Sequence, residues 1–484
     1  MPDLTRRSLL QLGALGTLGG AVAAGLPSPA WASSAPKPAP EPTPPTYLTG
    51  VYAPAADEID AAPLTVEGRI PPELCGRYFR NGPNPRPGVD PGLWWAGTGM
   101  VHGIRIAHGR AEWYRNRWVR TLRDPDLTDL RSGPANTSIK HHAGKIMALV
   151  ETTFPYEITP ELETVGPMDF GGKLTTAFSP HPKSDPKTGE MHFIGYSPLG
   201  RPYLTYHRLS VQGELVRSVP IDLPEATLMH DFGITENYVL LLDFPVVWDA
   251  AALQRGFPNW SDRHEPRIGV MPKDGTSADI RWYPVSPRWG WHVGNAYEDH
   301  AGRIVLRCTS GDGADWAETQ KIFGGIPGGR AKTRLYEWTL NPRTGRASER
   351  FLSDVVTEFP TINGDWTGSA NRYVYSPTTP MGLVRHNLIV KHDTVTGAER
   401  AHYLGAGRVS GEMVFVPSER RSKRRSGEDD GWLMGIVHDL TRPGAALVIL
   451  DAAAPERRPV ATIHLPRRVP YGYHGEWIDD AAIG

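Results

Sequence analysis

Four histidines in unusual local settings carry the chemistry open to this sequence: His181 in SPHPKSDPKTGE, His230 in LMHDFGITENY, His292 in GWHVGNAYED and His474 in VPYGYHGEW. No two are close enough to share a helical turn or a hairpin, so a joint role requires a fold that gathers distant segments. If gathered, four neutral imidazoles make a site suited to a redox-active divalent metal such as Fe(II). The chain has 17 histidines, so the neighbours carry the signal rather than the residue type. His181 lies between two prolines, and His474 is set between Gly472 and Gly475. Such residues beside a ligand let the backbone hold a ring in one direction.

What could gather them? The chain has 484 residues, with 52 Gly and 46 Pro, which fits many short elements joined by turns better than long helices. The formal net charge is −1, which excludes an extended nucleic-acid surface. Arg420, Arg421, Lys423, Arg424 and Arg425 form the one basic run, and Glu428, Asp429 and Asp430 follow it, as in a solvated loop tip. Cys75 and Cys308 exclude a disulfide scaffold but leave a single bridge open.

Residues 1–32 read as a twin-arginine signal peptide. Arg6-Arg7 precede a weakly hydrophobic, glycine-interrupted stretch from Leu9 to Leu26, and Ala30-Trp31-Ala32 supplies a cleavage site. A membrane anchor is the other reading, weakened by those glycines. Export of an already folded protein to the periplasm or cell envelope is expected. Residues 33–48 are a Pro/Ala-rich linker unable to bury a core.

From residue 49 to 484, apolar strands run into polar or glycine turns and out again. Hairpins are expected at 100–119, 145–166, 203–222, 267–285, 334–352, 383–404 and 446–466. Seven hairpins at this spacing point to radial repetition, an all-β, seven-bladed β-propeller. A pair of β-sandwiches would show similar hairpins, but no composition break divides the chain. The clearest helix runs from Val247 to Arg255, opened by Asp249 and stopped by Gly256. In a propeller the innermost strand of every blade lines one axis, where residues far apart in sequence can meet.

The four histidine segments resemble the signatures of the carotenoid cleavage oxygenases. So do PPELCGRYFRNGPNP (71–85), GTGMVHG (97–103), YRNRWVRT (114–121) and NTS (136–138). The resemblance implies a small helical or loop cap over one face of the propeller, and Fe(II) on its axis held by His181, His230, His292 and His474. It implies three glutamates that hold the ligand rings, matched by Glu151, Glu358 and Glu412, although which glutamate holds which ring stays open. Thr137 matches a residue whose methyl crowds an open metal position. The family uses neither the His102 position nor that of His141 and His142 as a ligand.

The implied reaction is cleavage of a carbon–carbon double bond by O2 to give two carbonyl products. Stilbene-cleaving members bind the substrate phenol with a tyrosine and a lysine, whose positions here read Trp118 and Val150. A carotenoid or apocarotenoid is therefore the expected substrate, with a stilbene as the alternative. An isomerase or a carotenoid-binding propeller is a further one. Trp118, Val150 and Trp291 are candidate tunnel walls. A lipophilic substrate suggests peripheral membrane contact, with Phe244, Val247, Trp248, Leu253, Phe257 and Trp260 as candidate interfacial side chains. Oligomeric state is not readable.

Overall fold

The computed structural model describes residues 44–122, 128–378, 387–418, 427–441 and 443–483. The leader, most of the linker and the basic run at 420–425 lie outside the described residues. Seven antiparallel sheets are arranged as blades, with one expected hairpin in each. Blades 2 and 3 are four-stranded sheets over 138–167 and 183–221. Blades 4 and 5 are four-stranded sheets over 233–284 and 289–356, and blade 6 has three strands over 373–403.

Closure uses both ends of the chain. In blade 1, Gly475–Asp479 pairs with Gly76–Pro83, which pairs with Gly99–Ala107 and then Arg110–Trp118. In blade 7, Val66–Gly68 is added to the outside of Ala461–His464. Residues about 400 apart in sequence thus lock the ring, as the register Arg80↔Gly475 shows.

Burial follows position in the blade. Middle strands such as Met191–Tyr196 and Ile304–Gly311 are buried at every residue, because neighbouring blades cover both faces. Outer strands such as Arg110–Trp118 and Leu215–Ile221 alternate, because one face meets water. The core is a set of inter-blade layers. Tyr78 and Ile104 of blade 1 meet Leu447 and Ile463 of blade 7, for example.

A cap covers the face at which the innermost strands begin. It includes helix α1 (Ala250–Arg255), helix α2 (Gly313–Phe323) and a ribbon pairing Val246–Val247 with Asn259–Trp260. Asp249 caps α1 by accepting from the Ala252 N–H, and Gly256 ends it at φ 69°. The helix begins three residues later than expected, because Val246 and Val247 are taken by the ribbon. The longer helix α2 was not expected. Its signal was the box Asp312-x-x-Asp315, whose side chains bond each other's backbone N–H groups.

Three further expectations change. The folded region begins before residue 49, since Thr46–Leu48 forms a 3₁₀ turn and Tyr47 is buried in the cap with its hydroxyl on Asp90. Phe244, Val247 and Phe257 are buried and cannot be interfacial, which leaves Trp248, Leu253 and Trp260 partly exposed. Cys75 and Cys308 are both free thiols. Among the described residues, no helix is long and apolar enough to cross a membrane.

Candidate metal centre and cavity

Each of the four histidines lies at or just before the start of an innermost strand. His181 precedes Lys183–Ser184, His230 precedes Gly233–Ile234, and His474 immediately precedes Gly475–Asp479. His292 sits inside Trp289–Glu298 at an irregularity in the register between Gly290 and Val293. A bulge there re-aims the side chain toward the axis. Gly290 permits the close approach, because a Cβ would lie 2.5 Å from Cys308 Sγ.

The rings meet. One nitrogen from each of the four lies within 4.8 Å of all the others, and all four residues are buried. His230 Nε2 is 2.9 Å from His181 Nε2 and 3.2 Å from His292 Nε2. Nitrogens about 2.1 Å from a first-row ion and at right angles to each other would be about 3 Å apart, so the spacing suits such a centre.

The outer nitrogens show why the inner ones are lone pairs. His230 Nδ1 donates to Glu151 Oε1, His292 Nδ1 to Glu358 Oε2, and His474 Nδ1 to Glu412 Oε1 at 3.1 Å. A neutral ring that donates at Nδ1 presents a lone pair at Nε2. The Nε2 atoms of His230 and His292 therefore face each other as acceptor against acceptor, an arrangement that a cation between them would relieve. A soft-to-borderline cation with imidazole affinity fits this donor set.

The carboxylates are themselves held. Glu358 Oε1 accepts from Thr309 Oγ1 at 2.7 Å, and Glu412 Oε2 from the Gly475 N–H at 2.8 Å. Phe359 turns its N–H back onto Glu358 Oε2 at 2.7 Å, which requires φ 54°. For an aromatic residue that conformation costs about 1–3 kcal/mol, and it sits beside the four rings. Burial, and after it the facing His230, His474 and His292 rings, push His181 well below the usual imidazole range. Burial also lowers His474. On His292 burial acts downward most strongly, but the Glu358, Asp231 and Glu412 carboxylates together outweigh it and the net direction is up.

The rings of His230, His292 and His474 form the floor of a cavity of about 650 Å³, with His181 packed against them from behind. Its walls include Trp94, Trp95, Trp291, Phe323, Phe359 and Tyr473. Thr137 and Val150 also line it. Thr137 donates its hydroxyl to Asn136 Oδ1 at 3.0 Å and accepts from the His474 N–H through its carbonyl at 3.2 Å. Trp118 is not a wall. It packs with Ala55 and Met100, donates to the Asn84 carbonyl at 2.9 Å and lies under the Arg86 guanidinium. His102 is buried against Tyr114 Oη, and His142 against the Ser210 carbonyl.

Sequence reasoning missed the aromatic walls from the cap, as well as Phe359 and Asp231. Phe359 and Asp231 each directly follow a residue that was singled out, and that adjacency was the available signal.

The family model described as retinal pigment epithelial membrane protein matches residues 52–479. A carotenoid cleavage oxygenase of Mycobacterium tuberculosis is 36% identical over 497 residues, covering 89% of this chain and 97% of that one. A carotenoid 9,10(9',10')-cleavage dioxygenase of Crocus sativus is 32% identical over 499 residues, covering 90% of each chain. The crystal structure of Pseudomonas brassicacearum lignostilbene dioxygenase superposes with a TM-score of 0.80 at 26% identity, covering 91% of this chain and 100% of that one.

Proposed function

We propose, since this chain belongs to the carotenoid cleavage oxygenase family, that it uses O2 to cut a carbon–carbon double bond of a carotenoid or apocarotenoid, giving two carbonyl products. One observation carries the reading: four imidazole nitrogens converge, and three of their rings line a cavity with Trp94, Trp95, Trp291, Phe323, Phe359 and Tyr473 in its walls. The family depends on non-haem iron. We assign the ion as Fe(II), with His181, His230, His292 and His474 as its ligands and Glu151, Glu358 and Glu412 as the groups that orient three of them. Bound there, the ion supplies the activation of O2.

The protein's own contribution is placement and exclusion of water. The three carboxylates hold Nδ1–H so that each Nε2 lone pair faces inward. Thr137, on the wall beside the rings, limits the approach to them. Trp291 and Phe359 set aromatic surface against the His230 and His292 rings, as suits an apolar polyene.

The substrate class rests on Val150 and the walls. Trp118 carries no weight, because it lies outside the cavity. Val150, directly before Glu151, gives the cavity an apolar surface where an ammonium would serve a phenolate. Trp248, Leu253 and Trp260 on the cap are the candidate contacts with a bilayer that supplies the polyene. The twin-arginine leader supports export to the periplasm or cell envelope.

Incubation of the iron-loaded protein with apocarotenals and with hydroxystilbenes under O2 tests this, with aldehydes identified by mass. Apocarotenal-derived aldehydes are expected. Benzaldehydes from the stilbenes alone would replace the substrate class. Geometric isomers without cleavage would make it an isomerase, and substrate retained intact would make it a binder.

A further inference from the structure

Asp231 directly follows His230 and is 2% exposed, yet it orients no ring. Its Oδ1 accepts from the Phe232 N–H at 2.7 Å and from the Lys183 ammonium at 2.7 Å. Its Oδ2 accepts from the Val293 N–H at 2.7 Å. The three donors belong to three different histidine segments. Lys183 lies two residues after His181, Phe232 two after His230, and Val293 is the neighbour of His292.

The glutamates act differently. Each fixes the direction of one imidazole, and none ties one histidine segment to another. Asp231 does so for three. The bulge that turns His292 to the axis leaves the Val293 N–H for this carboxylate, so the two features belong to one arrangement.

We propose that Asp231, with Lys183, is a positioning residue that sets the spacing between His181, His230 and His292. It thereby governs how tightly the centre holds its metal and the ligand field imposed there. The proposal rests on the four-histidine reading of the site. Only a carboxylate serves this clamp. Asparagine would offer one oxygen and one N–H₂, and the latter would face the Val293 N–H or the Lys183 ammonium, leaving a buried donor unpaired.

The test uses the full chain loaded with Co(II), whose visible absorption bands report the ligand field without turnover. Asp231→Asn, Lys183→Met and Ile194→Val are compared with the parent protein. Ile194 makes none of the clamp's hydrogen bonds but packs in the blade 3 core that includes Phe232, so its variant reports general loosening of the packing behind the clamp. Asp231→Asn is expected to shift the bands and to speed metal loss to a chelator about 10- to 100-fold. Lys183→Met is expected to move both in the same direction by about 3- to 10-fold, since two backbone donors remain on Asp231. Ile194→Val is expected to change neither.

Bands and loss rate in Asp231→Asn equal to those of the parent would overturn the clamp. So would equal acceleration in Ile194→Val. If Asp231→Asn does not fold, Lys183→Met decides, and an unchanged spectrum there overturns it. A parent protein that takes up no cobalt would remove the four-histidine reading, and the clamp with it.

Discussion

The floor and the walls of the cavity are built on different principles. On the floor, each ring direction is set by a bond to a particular atom. Glu151, Glu358 and Glu412 each meet one Nδ1; Glu358 is held in turn by Thr309 and Phe359, and Glu412 by Gly475. In the walls nothing is so specific. Trp95 stacks on Phe257 with centroids 4.3 Å apart, and Trp289, Trp291 and Trp316 pack edge-on or tilted around each other. Directional bonds fail with the loss of one atom, whereas packed area fails gradually with volume. The floor is therefore where chemistry is fixed, and the walls are where substrate shape can change without losing it.

Substitutions on the floor should have the largest effects. His292→Ala removes a ring and leaves Glu358, itself 1% exposed, as a buried carboxylate without its imidazole. Iron content measured by elemental analysis is expected to fall to background, and cleavage with it. Iron at the parent stoichiometry would remove His292 from the centre.

Glu358→Gln and Glu151→Gln keep the rings but exchange the carboxylate. Loss of metal affinity by about 10- to 100-fold is expected, read by competition with a chelator. The larger loss belongs to Glu358, because its side chain is 1% exposed against 22% for Glu151. Water can take over part of the work at Glu151. The reverse order would show that exposure does not rank these contacts.

The same contrast explains what was legible in the sequence. Local turn chemistry marked one hairpin in every blade, because alternation and tight turns are properties of neighbouring residues. Closure was not legible. The pairs Gly76–Pro83 with Gly475–Asp479 and Val66–Gly68 with Ala461–His464 join the two ends of the chain, and no local pattern announces them. On the floor, short motifs of Gly, Pro and His identified all four rings that meet. The partner of each glutamate waited on the blade geometry. Trp118 was misplaced because its position in a motif says nothing about which face of Arg110–Trp118 points to the cavity. Of the walls, Val150 and Trp291 were marked by their places beside Glu151 and His292, whereas Trp94, Trp95 and Phe323 share only hydrophobicity, so no spacing singled them out.

Separating wall from floor is possible with Trp291→Ala. Trp291 is 5% exposed and packs against Trp289, Trp316 and Phe323, with its ring 4.6 Å from that of His230. Truncation is expected to cost about 3–5 kcal/mol in denaturant unfolding and to raise KM, while metal content stays at the parent level. Metal loss as complete as in His292→Ala would show that wall and floor form one unit.

The smallest effect concerns the base of the cap and is a matter of pH. His264 Nδ1 is 2.6 Å from Glu225 Oε1, and its Nε2 is 3.1 Å from Asp243 Oδ1, which also pairs with Thr227. Burial lowers this imidazole, but the two carboxylates more than offset that and push it up to about 9. Its folded pKa thus exceeds the unfolded value near 6.5, so the folded state holds the proton more tightly. The resulting stabilisation is complete below about pH 6.5 and is lost as pH rises through about 9. The thermal midpoint of the parent protein should fall over that range, and His264→Gln should flatten the fall. The cap anchor would then respond to pH through a charge pair, as the packed aromatic wall above it does not. A profile equally steep in His264→Gln would place the titrating group elsewhere.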